Sequence, residues 1–124
     1  MSQKILVADD EPNIVISLEY LLKREGYTVL IARDGQEAFE TIVRERPDLV
    51  LLDVMMPKKT GFEVCQEVRA NEALQNIKIL MLTAKGRDTD LAKGAAMGAD
   101  AYMTKPFATR ELVQKVADML GRVA

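Results

Sequence analysis

Five short apolar runs alternate with helix-like segments along the chain, and this alternation limits the possible folds more than any other feature. The runs predict strands near residues 4–8, 27–31, 48–52, 78–82 and 100–104. The third run, Leu49-Val50-Leu51-Leu52, is wholly apolar, as in a central strand buried on both faces. Alternating strands and helices predict right-handed crossovers and one parallel sheet covered by helices on both sides, an α/β doubly wound fold with three layers.

The segments between the runs carry signals of helix starts and ends. Pro12 suits a first helical turn and Gly26 suits a helix end. The predicted helices cover about Pro12 to Glu25, Gln36 to Glu45, Phe62 to Ala70, Arg87 to Met97 and Thr109 to Leu120. The core-facing residues of the first and fifth helices are predicted to be Ile14, Leu18, Leu21 and Leu22, and Leu112, Val116, Met119 and Leu120, with Thr109 as an N-cap.

Composition favours one domain over residues 1–124 and excludes several functions. The net charge of −2 gives no electrostatic footprint for nucleic acid, so we expect no direct nucleic-acid binding. Cys65 is the only cysteine, which suits the reducing cytoplasm. The apolar runs are too short to span a membrane, and the first residues leave no room for a signal peptide. A cytoplasmic location is therefore expected.

The chain contains no histidine. This excludes a histidine-based triad, a histidine-ligated zinc site and a phosphohistidine carried by the chain itself. With a single cysteine, zinc is disfavoured altogether. Any histidine chemistry must therefore come from a partner protein.

Polar residues stand at the ends of four of the predicted strands. Asp9 and Asp10 follow the first, Asp53 the third, Thr83 the fourth and Lys105 the fifth. The carboxyl ends of parallel strands lie along one edge of a sheet, where ligands bind in open α/β folds. We therefore expect these side chains to form one cleft. Three carboxylates repel one another there unless a hard divalent cation or a proton intervenes.

Simpler interpretations exist for each residue taken alone. An acidic pair before a helix is more often an N-terminal cap than a metal site, and Asp10 could be both. Thr83 alone would be a turn hydroxyl, and Lys105 alone would be solvated. Asp53 is harder to explain structurally, because a carboxylate at the end of a buried strand loses its hydration without compensation.

The ordered set of strand-end residues resembles the receiver domain of bacterial two-component response regulators. The matching segments are Asp9-Asp10, Asp53-Val54-Met55-Met56-Pro57 with Gly61, Thr83-Ala84, Gly98-Ala99-Asp100 and Tyr102-Met103-Thr104-Lys105-Pro106-Phe107. The resemblance implies a flavodoxin-like five-stranded sheet of order 2-1-3-4-5. It also implies a phosphorelay function in which Asp53 accepts a phosphoryl group from the phosphohistidine of a sensor histidine kinase or histidine phosphotransfer protein.

The resemblance assigns roles to the cleft. Asp10 and Asp53 are expected to ligate Mg²⁺ directly, Asp9 through water, and Met55 through its carbonyl oxygen. Oxygen ligands with retained waters suit Mg²⁺. Lys105 would serve as a point charge beside the incoming phosphoryl group. The only reactions expected are phosphorylation and dephosphorylation of the domain itself, so it is not expected to be an enzyme acting on other substrates.

The resemblance also implies a switch. Thr83 would turn its hydroxyl toward the phosphoryl group, and Tyr102 would turn into the space vacated. The surface of the fourth helix, fifth strand and fifth helix would then change for a downstream protein effector or a fused output domain. Such coupling is typically about 1–3 kcal/mol and shifts a population of states.

A docking surface is predicted near the cleft. Ile14, Val15 and Ile16 cannot all face the sheet, since a helix turns about 100° per residue. Ile14 or Val15, together with Pro106 and Phe107, is expected to form a small apolar patch. By resemblance, this patch would seat the helix that carries the partner's histidine.

Several alternatives remain open. The charged dimer pairs of receivers with DNA-binding output domains are missing at Leu91, Ala96, Ala101 and Gln114 or Lys115, which favours a stand-alone chemotaxis-type regulator or an excised receiver. A receiver from a longer DNA-binding regulator and a phosphorylation-independent interaction module are the other options. A flavin carrier is disfavoured because Asp9-Asp10-Glu11 would repel its phosphate.

Overall fold

The computed structural model describes residues 3–84, 92–93 and 96–121. Its sheet contains β1 (Lys4–Ala8), β2 (Thr28–Ala32), β3 (Leu49–Asp53), β4 (Lys78–Ala84) and β5 (Ala101–Lys105). All four strand pairings are parallel, and the spatial order is β2-β1-β3-β4-β5. The predicted flavodoxin-like order is therefore confirmed.

Helices connect the strands. They are α1 (Pro12–Arg24), α2 (Gly35–Glu45), α3 (Gly61–Ala70) and a C-terminal helix (Thr109–Met119), with a short 3₁₀ turn at Glu72–Leu74 that was not predicted. The predicted helix from Arg87 to Met97 falls mostly outside the described residues. Within it, the described residues 92–93 and 96–97 are helical.

Two helices begin with side-chain caps that the sequence explains. Asp34 accepts a hydrogen bond from the backbone N–H of Glu37 at the start of α2. At the start of α3, Thr60 and Glu63 form a reciprocal capping box. The predicted N-cap at Thr109 is wrong, because Thr109 is already helical and the preceding residue, Ala108, has no side chain that can cap.

The three predicted layers are present. Successive residues of β3 point to opposite faces, so Leu49 and Leu51 pack on one side and Val50 and Leu52 on the other. The first side is covered by α1 and the C-terminal helix through Val15, Leu18, Leu22, Leu112 and Val116. The second side is covered by α2 and α3 through Ala38, Ile42, Val64, Cys65 and Val68.

The most deeply buried residues of α1 include Val15, which was not among the predicted core-facing residues. Val15 is buried at 1% exposure, whereas Ile14 and Leu21 are only half-buried. Leu18 and Leu22 are buried as predicted. Val15, Leu18 and Leu22 follow the i, i+3, i+7 spacing of one helix face. Because Ile14, Val15 and Ile16 are all apolar, the sequence did not fix which of them faces the sheet, and tertiary packing decided it.

Four strands, β2 to β5, end farther along the chain than predicted. Asp53 and Lys105 are the last residues of β3 and β5, and β4 continues past Thr83 to Ala84. The ladder persists because Asp53 pairs with Leu82 and Ala84 pairs with Lys105. Backbone pairing does not depend on side-chain polarity, so the polar residues are held rigidly within the sheet rather than on mobile loops.

Candidate functional site

The carboxyl edge of the sheet brings the predicted cleft residues together. Asp9 directly follows β1, Asp53 ends β3 and Lys105 ends β5. Nζ of Lys105 lies 2.7 Å from Oδ2 of Asp9 and 3.3 Å from Oδ1 of Asp53. Residues that are 96 positions apart in sequence, Asp9 and Lys105, therefore form a direct ion pair.

Three carboxylates converge beside this lysine. One oxygen from each of Asp9, Asp10 and Asp53 lies within 4.8 Å of the other two. Asp9 is fully buried, Asp53 is 7% exposed and Asp10 is exposed to solvent. All three offer hard oxygen ligands, and the exposed Asp10 leaves room for retained water, so the donor set fits Mg²⁺.

The environment of Asp53 disfavours its charged form. Burial and the neighbouring Asp9 carboxylate raise the pKa of Asp53 from 3.8 to about 7, although Lys105 opposes them. Burial alone would lower the pKa of Lys105, but the hydrogen bond from Lys105 to Asp9 and the nearby carboxylates raise it overall. The lysine therefore stays charged, while Asp53 lacks full compensation for its negative charge.

The cleft opens to solvent through a cavity of about 290 Å³. Its lining residues are Asp10, Glu11, Asp53, Val54, Met55, Ala84 and Lys105. The side chain of Met55 is 57% exposed at the rim. The cavity thus gives Asp53 a path to solvent, although the side chain is almost completely covered.

The two predicted switch residues, Thr83 and Tyr102, differ in burial: the first is buried and the second is half-buried beside a groove. Thr83 is buried at 2% exposure, and its hydroxyl donates to the carbonyl oxygen of Ala84 at 3.4 Å. Tyr102 is half-buried against the core beneath α2 and α3, and it also lines a groove of about 560 Å³ between β5 and the C-terminal helix. This groove lies on the surface that the switch is predicted to alter. Leu91, named for that surface, lies outside the described residues.

The predicted docking patch stays a prediction, but burial removes one of its two alternative members from α1. Val15 is buried and cannot contribute, because its side chain packs between α1 and the sheet. Ile14 and Phe107 are half-buried at the edge of the same core cluster, and Pro106 is exposed. The exposed member of the apolar triplet is Ile16, at 62%. The triplet therefore does expose one apolar residue, but not one of the two named for the patch.

Two residues contribute to the site in ways that the sequence analysis missed. Glu11 lines the cavity and places Oε1 3.5 Å from Nζ of Lys105. Its position directly after two aspartates was the available signal. Gly61 allows α3 to begin against β3, since a Cβ atom there would lie 2.3 Å from the carbonyl oxygen of Asp53.

Comparison with known proteins identifies the family. The family model described as "Response regulator receiver domain" matches residues 5–117. The chain therefore belongs to the response regulator receiver domain family, whose members are signalling modules of two-component systems.

Individual relatives agree with this assignment. The chain is 49% identical over 122 residues to the alkaline phosphatase synthesis transcriptional regulatory protein PhoP of Bacillus subtilis (strain 168), covering 98% of this chain. It spans only about half of that relative, 50% of its length. A protein of Chloroflexus aurantiacus J-10-fl described as a "putative response regulator" has 35% identity and a TM-score of 0.93, covering 98% of this chain and 100% of that one.

A third relative is described with a metal. The receiver domain of a sensor histidine kinase from Pseudomonas aeruginosa PAO1 has 30% identity and a TM-score of 0.89, covering 98% of this chain and 99% of that one. Its structure has a magnesium ion coordinated in the active-site cleft.

Among the described residues of the present chain, no helix has the length and apolar character needed to cross a membrane.

Proposed function

We propose that this receiver domain accepts a phosphoryl group on Asp53 from the phosphohistidine of a sensor histidine kinase or histidine phosphotransfer protein. The observation that carries the proposal is the position of Asp53 at the bottom of an open cavity, 3.3 Å from Lys105 and beside Asp9 and Asp10. A buried carboxylate with a raised pKa in such a cleft is typical of a functional site rather than of a structural ion pair.

Asp10 and Asp53 are proposed as direct ligands of Mg²⁺, Asp9 as a ligand through water, and the carbonyl oxygen of Met55 as the remaining protein ligand. The closeness of the three carboxylates supports this assignment. When bound, the metal would supply positive charge that neutralises the carboxylates and the approaching phosphoryl group. The protein's part is to hold these oxygens at the rigid ends of β1 and β3.

The transfer itself needs alignment and charge neutralisation more than covalent help from the protein. A carboxylate oxygen of Asp53 attacks the phosphorus atom, and the bond from phosphorus to the partner's histidine nitrogen breaks. The nitrogen keeps the electron pair of that bond. Lys105 is proposed to contact a phosphoryl oxygen with its ammonium group, which already lies 3.3 Å from Asp53.

The new phosphoryl group would bring about −1.5 to −2 charges and three acceptor oxygens, if phosphoserine is taken as the guide. Thr83 is proposed to turn its hydroxyl toward one of these oxygens, and Tyr102 to follow. The groove between β5 and the C-terminal helix supports this surface as the output, because Tyr102 lines it. The partner there would be a protein effector or a fused output domain.

The similarity to a transcriptional regulator of twice this length favours a DNA-binding output domain as one form of that partner. The receiver, residues 1–124 in this proposal, would act in the cytoplasm and would not itself bind nucleic acid. Its net charge of −2 supports this separation of roles.

The test is phosphorylation by acetyl phosphate with Mg²⁺, followed by mass spectrometry. One phosphoryl group should be added to the wild-type protein and none to Asp53→Asn. Asp34→Asn is a matched control, because asparagine caps α2 as well as aspartate does. Equal labelling of the Asp53→Asn protein would refute the assignment of the acceptor.

A further inference from the structure

The loop between β3 and α3, residues 54–60, carries one of the proposed metal ligands. Met55 lines the cavity beside Asp53, and its carbonyl oxygen is the proposed ligand. The loop is closed at its base, where the backbone N–H of Gly61 donates to the carbonyl oxygen of Val54 at 2.8 Å. Met55 therefore directly follows a fixed point, and its position depends on what holds the rest of the loop.

The start of α2 holds the middle of the β3–α3 loop. The carbonyl oxygen of Pro57 accepts hydrogen bonds from the backbone N–H of Gly35 at 3.1 Å and from that of Lys59 at 2.8 Å. Gly35 packs so closely on the backbone of Lys59 that a Cβ atom would overlap its carbonyl oxygen. Residues 57–59 therefore lie directly against α2, and only two residues separate Pro57 from the fixed Val54.

The side chain of Lys59 extends this attachment to two helices. Its Nζ atom lies 2.6 Å and 2.9 Å from the two carboxylate oxygens of Glu67 on α3, and 5.1 Å from the centre of the Phe39 ring on α2. The Lys59 side chain is only 24% exposed, which strengthens both contacts. The neighbouring Lys58 is 67% exposed and lies 3.7 Å from Asp34, so it contributes much less.

We propose that Lys59 is a positioning residue for the metal ligand on the β3–α3 loop. By tying the loop to Glu67 and Phe39, it holds the Met55 carbonyl oxygen in place before a divalent cation arrives, which lowers the ordering cost of binding. Among the described residues, those lining the cavity do not include Lys59, so it acts through the loop. The proposal rests on the proposed function to the extent that the cleft takes up Mg²⁺ with this carbonyl oxygen.

The sign of the effect separates positioning from simple electrostatics. Lys59 is a cation on a loop that borders an acidic cleft, and a cation repels Mg²⁺. Removal of its charge alone would therefore leave Mg²⁺ affinity unchanged or raise it slightly. Loss of the loop's attachment would lower Mg²⁺ affinity, because the ligand would have to be ordered at the moment of binding.

Titration of the metal-free protein with Mg²⁺ by isothermal calorimetry measures this effect without any phosphotransfer. Lys59→Met should bind Mg²⁺ about threefold to tenfold more weakly than wild type, at or below the low end of losses seen when partners that hold a metal ligand are removed. Lys58→Met is the matched control, because it removes the same charge from the same loop but breaks only an exposed contact. Its affinity should stay within about twofold of wild type.

A conservative variant and a stability measurement complete the test. Lys59→Arg keeps a cation for Glu67 and Phe39, so its Mg²⁺ affinity should stay within about twofold of wild type. Lys59→Gln serves in place of Lys59→Met if the latter does not fold. Urea denaturation identifies a merely structural role, which would lower the stability of Lys59→Met while the folded protein kept its Mg²⁺ affinity. Unchanged or tighter binding by the neutral Lys59 variants, equal weakening in Lys58→Met, or no Mg²⁺ binding by wild type would overturn the proposal.

The positioning role and the proposed function can fail separately. If acetyl phosphate labels Asp53 but Lys59→Met binds Mg²⁺ as wild type does, only the role of Lys59 is wrong. If Lys59→Met binds Mg²⁺ more weakly but Asp53 is never labelled, the acceptor assignment is wrong and the role of Lys59 stands.

Discussion

The guanidinium group of Arg69 donates a hydrogen bond to Oδ2 of Asp100 at 2.7 Å, joining the end of α3 to the residue before β5. The same oxygen accepts from the backbone N–H of Ile79 at 2.8 Å. Arg69 also donates to the carbonyl oxygens of Gly98 and Ile77, each at 2.8 Å. One side chain therefore holds α3, β4 and β5 together at the edge opposite the cleft.

Replacement of Arg69 should lower the stability of the protein substantially. Arg69→Met keeps the apolar stem but removes the charged partner of Asp100, which retains only the backbone N–H of Ile79, and leaves two partly buried carbonyl groups without the arginine donor. We expect the free energy of unfolding to fall by about 2–4 kcal/mol in urea denaturation. Arg44→Met is the control. Arg44 is 67% exposed and, among the described residues, its ion pair is with its neighbour Glu45, so the substitution should cost less than about 0.5 kcal/mol. Equal losses for the two variants would contradict this account.

Gly61 should tolerate no side chain. A Cβ atom there would lie 2.3 Å from the carbonyl oxygen of Asp53. Neither that oxygen nor the Cα atom of Gly61 can move easily, because β3 and α3 hold their backbones. Gly61→Ala should therefore lower the free energy of unfolding by roughly 2 kcal/mol or more. At Gly121, a Cβ atom meets none of the described residues within 4 Å, but φ is +69°, so Gly121→Ala should cost only about 1 kcal/mol. Similar denaturation midpoints for the two variants would argue against the steric explanation.

The charge on Asp53 should make the stability of the metal-free protein depend on pH. Because folding raises the pKa of Asp53 from 3.8 to about 7, the folded state binds more protons than the unfolded chain between these values. The contribution of Asp53 to stability is therefore present at low pH and is lost as pH rises through about 7. Asp53→Asn should lack this loss and exceed wild type at pH 8 by at least about 1 kcal/mol.

Urea denaturation in chelator at pH 5 and pH 8 measures this difference. Glu40→Gln, which removes an exposed carboxylate from α2, should follow the wild-type dependence. Parallel curves for wild type and Asp53→Asn would show that the environment of Asp53 is not unfavourable to its charge. Mg²⁺ binding needs the carboxylate form, so the affinity of wild type should also rise with pH through about 7.

Substitutions of Asp9 and Asp10 should have opposite effects on the stability of the metal-free protein. Asp10 is exposed and adds repulsion, so Asp10→Asn should stabilise the metal-free protein slightly, by about 0.5 kcal/mol. Asp9 is buried and holds Lys105, so Asp9→Asn should cost about 1–3 kcal/mol. Thermal melting with and without Mg²⁺ checks both values. Asp10→Asn should also lose most of the stabilisation by Mg²⁺, and retention of it would contradict the assignment of Asp10 as a direct ligand.

Two neighbouring residues of the apolar triplet in α1, Val15 in the core and Ile16 on the surface, should respond differently to a charged substitution. Val15→Asp buries a charge against the sheet and should cost about 4 kcal/mol or prevent folding. Ile16→Asp lies on the exposed face and should change stability by less than about 0.5 kcal/mol. Urea denaturation compares the two variants, and a large loss for Ile16→Asp would place its side chain in the core.

Docking of the partner is tested separately at Ile14, the half-buried residue of the predicted patch. Ile14→Asp should reduce phosphotransfer from the partner's phosphohistidine more than phosphorylation by acetyl phosphate. A parallel loss of both reactions would mean that Ile14 supports the fold, and no loss in either would place the docking patch elsewhere.

Much of the fold could be predicted from sequence because its signals are local and repeated. The wholly apolar run from Leu49 to Leu52 indicated a strand covered on both faces, and its alternate residues do pack on opposite sides of the sheet. Strand ends were less predictable. Asp53 and Lys105 continue their strands because ladder pairing is set by the neighbouring backbone, which the sequence of one strand does not contain.

The sequence by itself determined which residues stand at the strand ends, and the parallel direction of the strands then required those ends to share one edge. Only the tertiary structure decided how they pair. Lys105 lies closer to Asp9 than to Asp53, and Glu11 joins them, because these distances depend on how β1, β3 and β5 twist against one another. Likewise, apolar character alone could not separate Val15 from Ile16, since the rotation of α1 on the sheet is fixed by packing across the whole core.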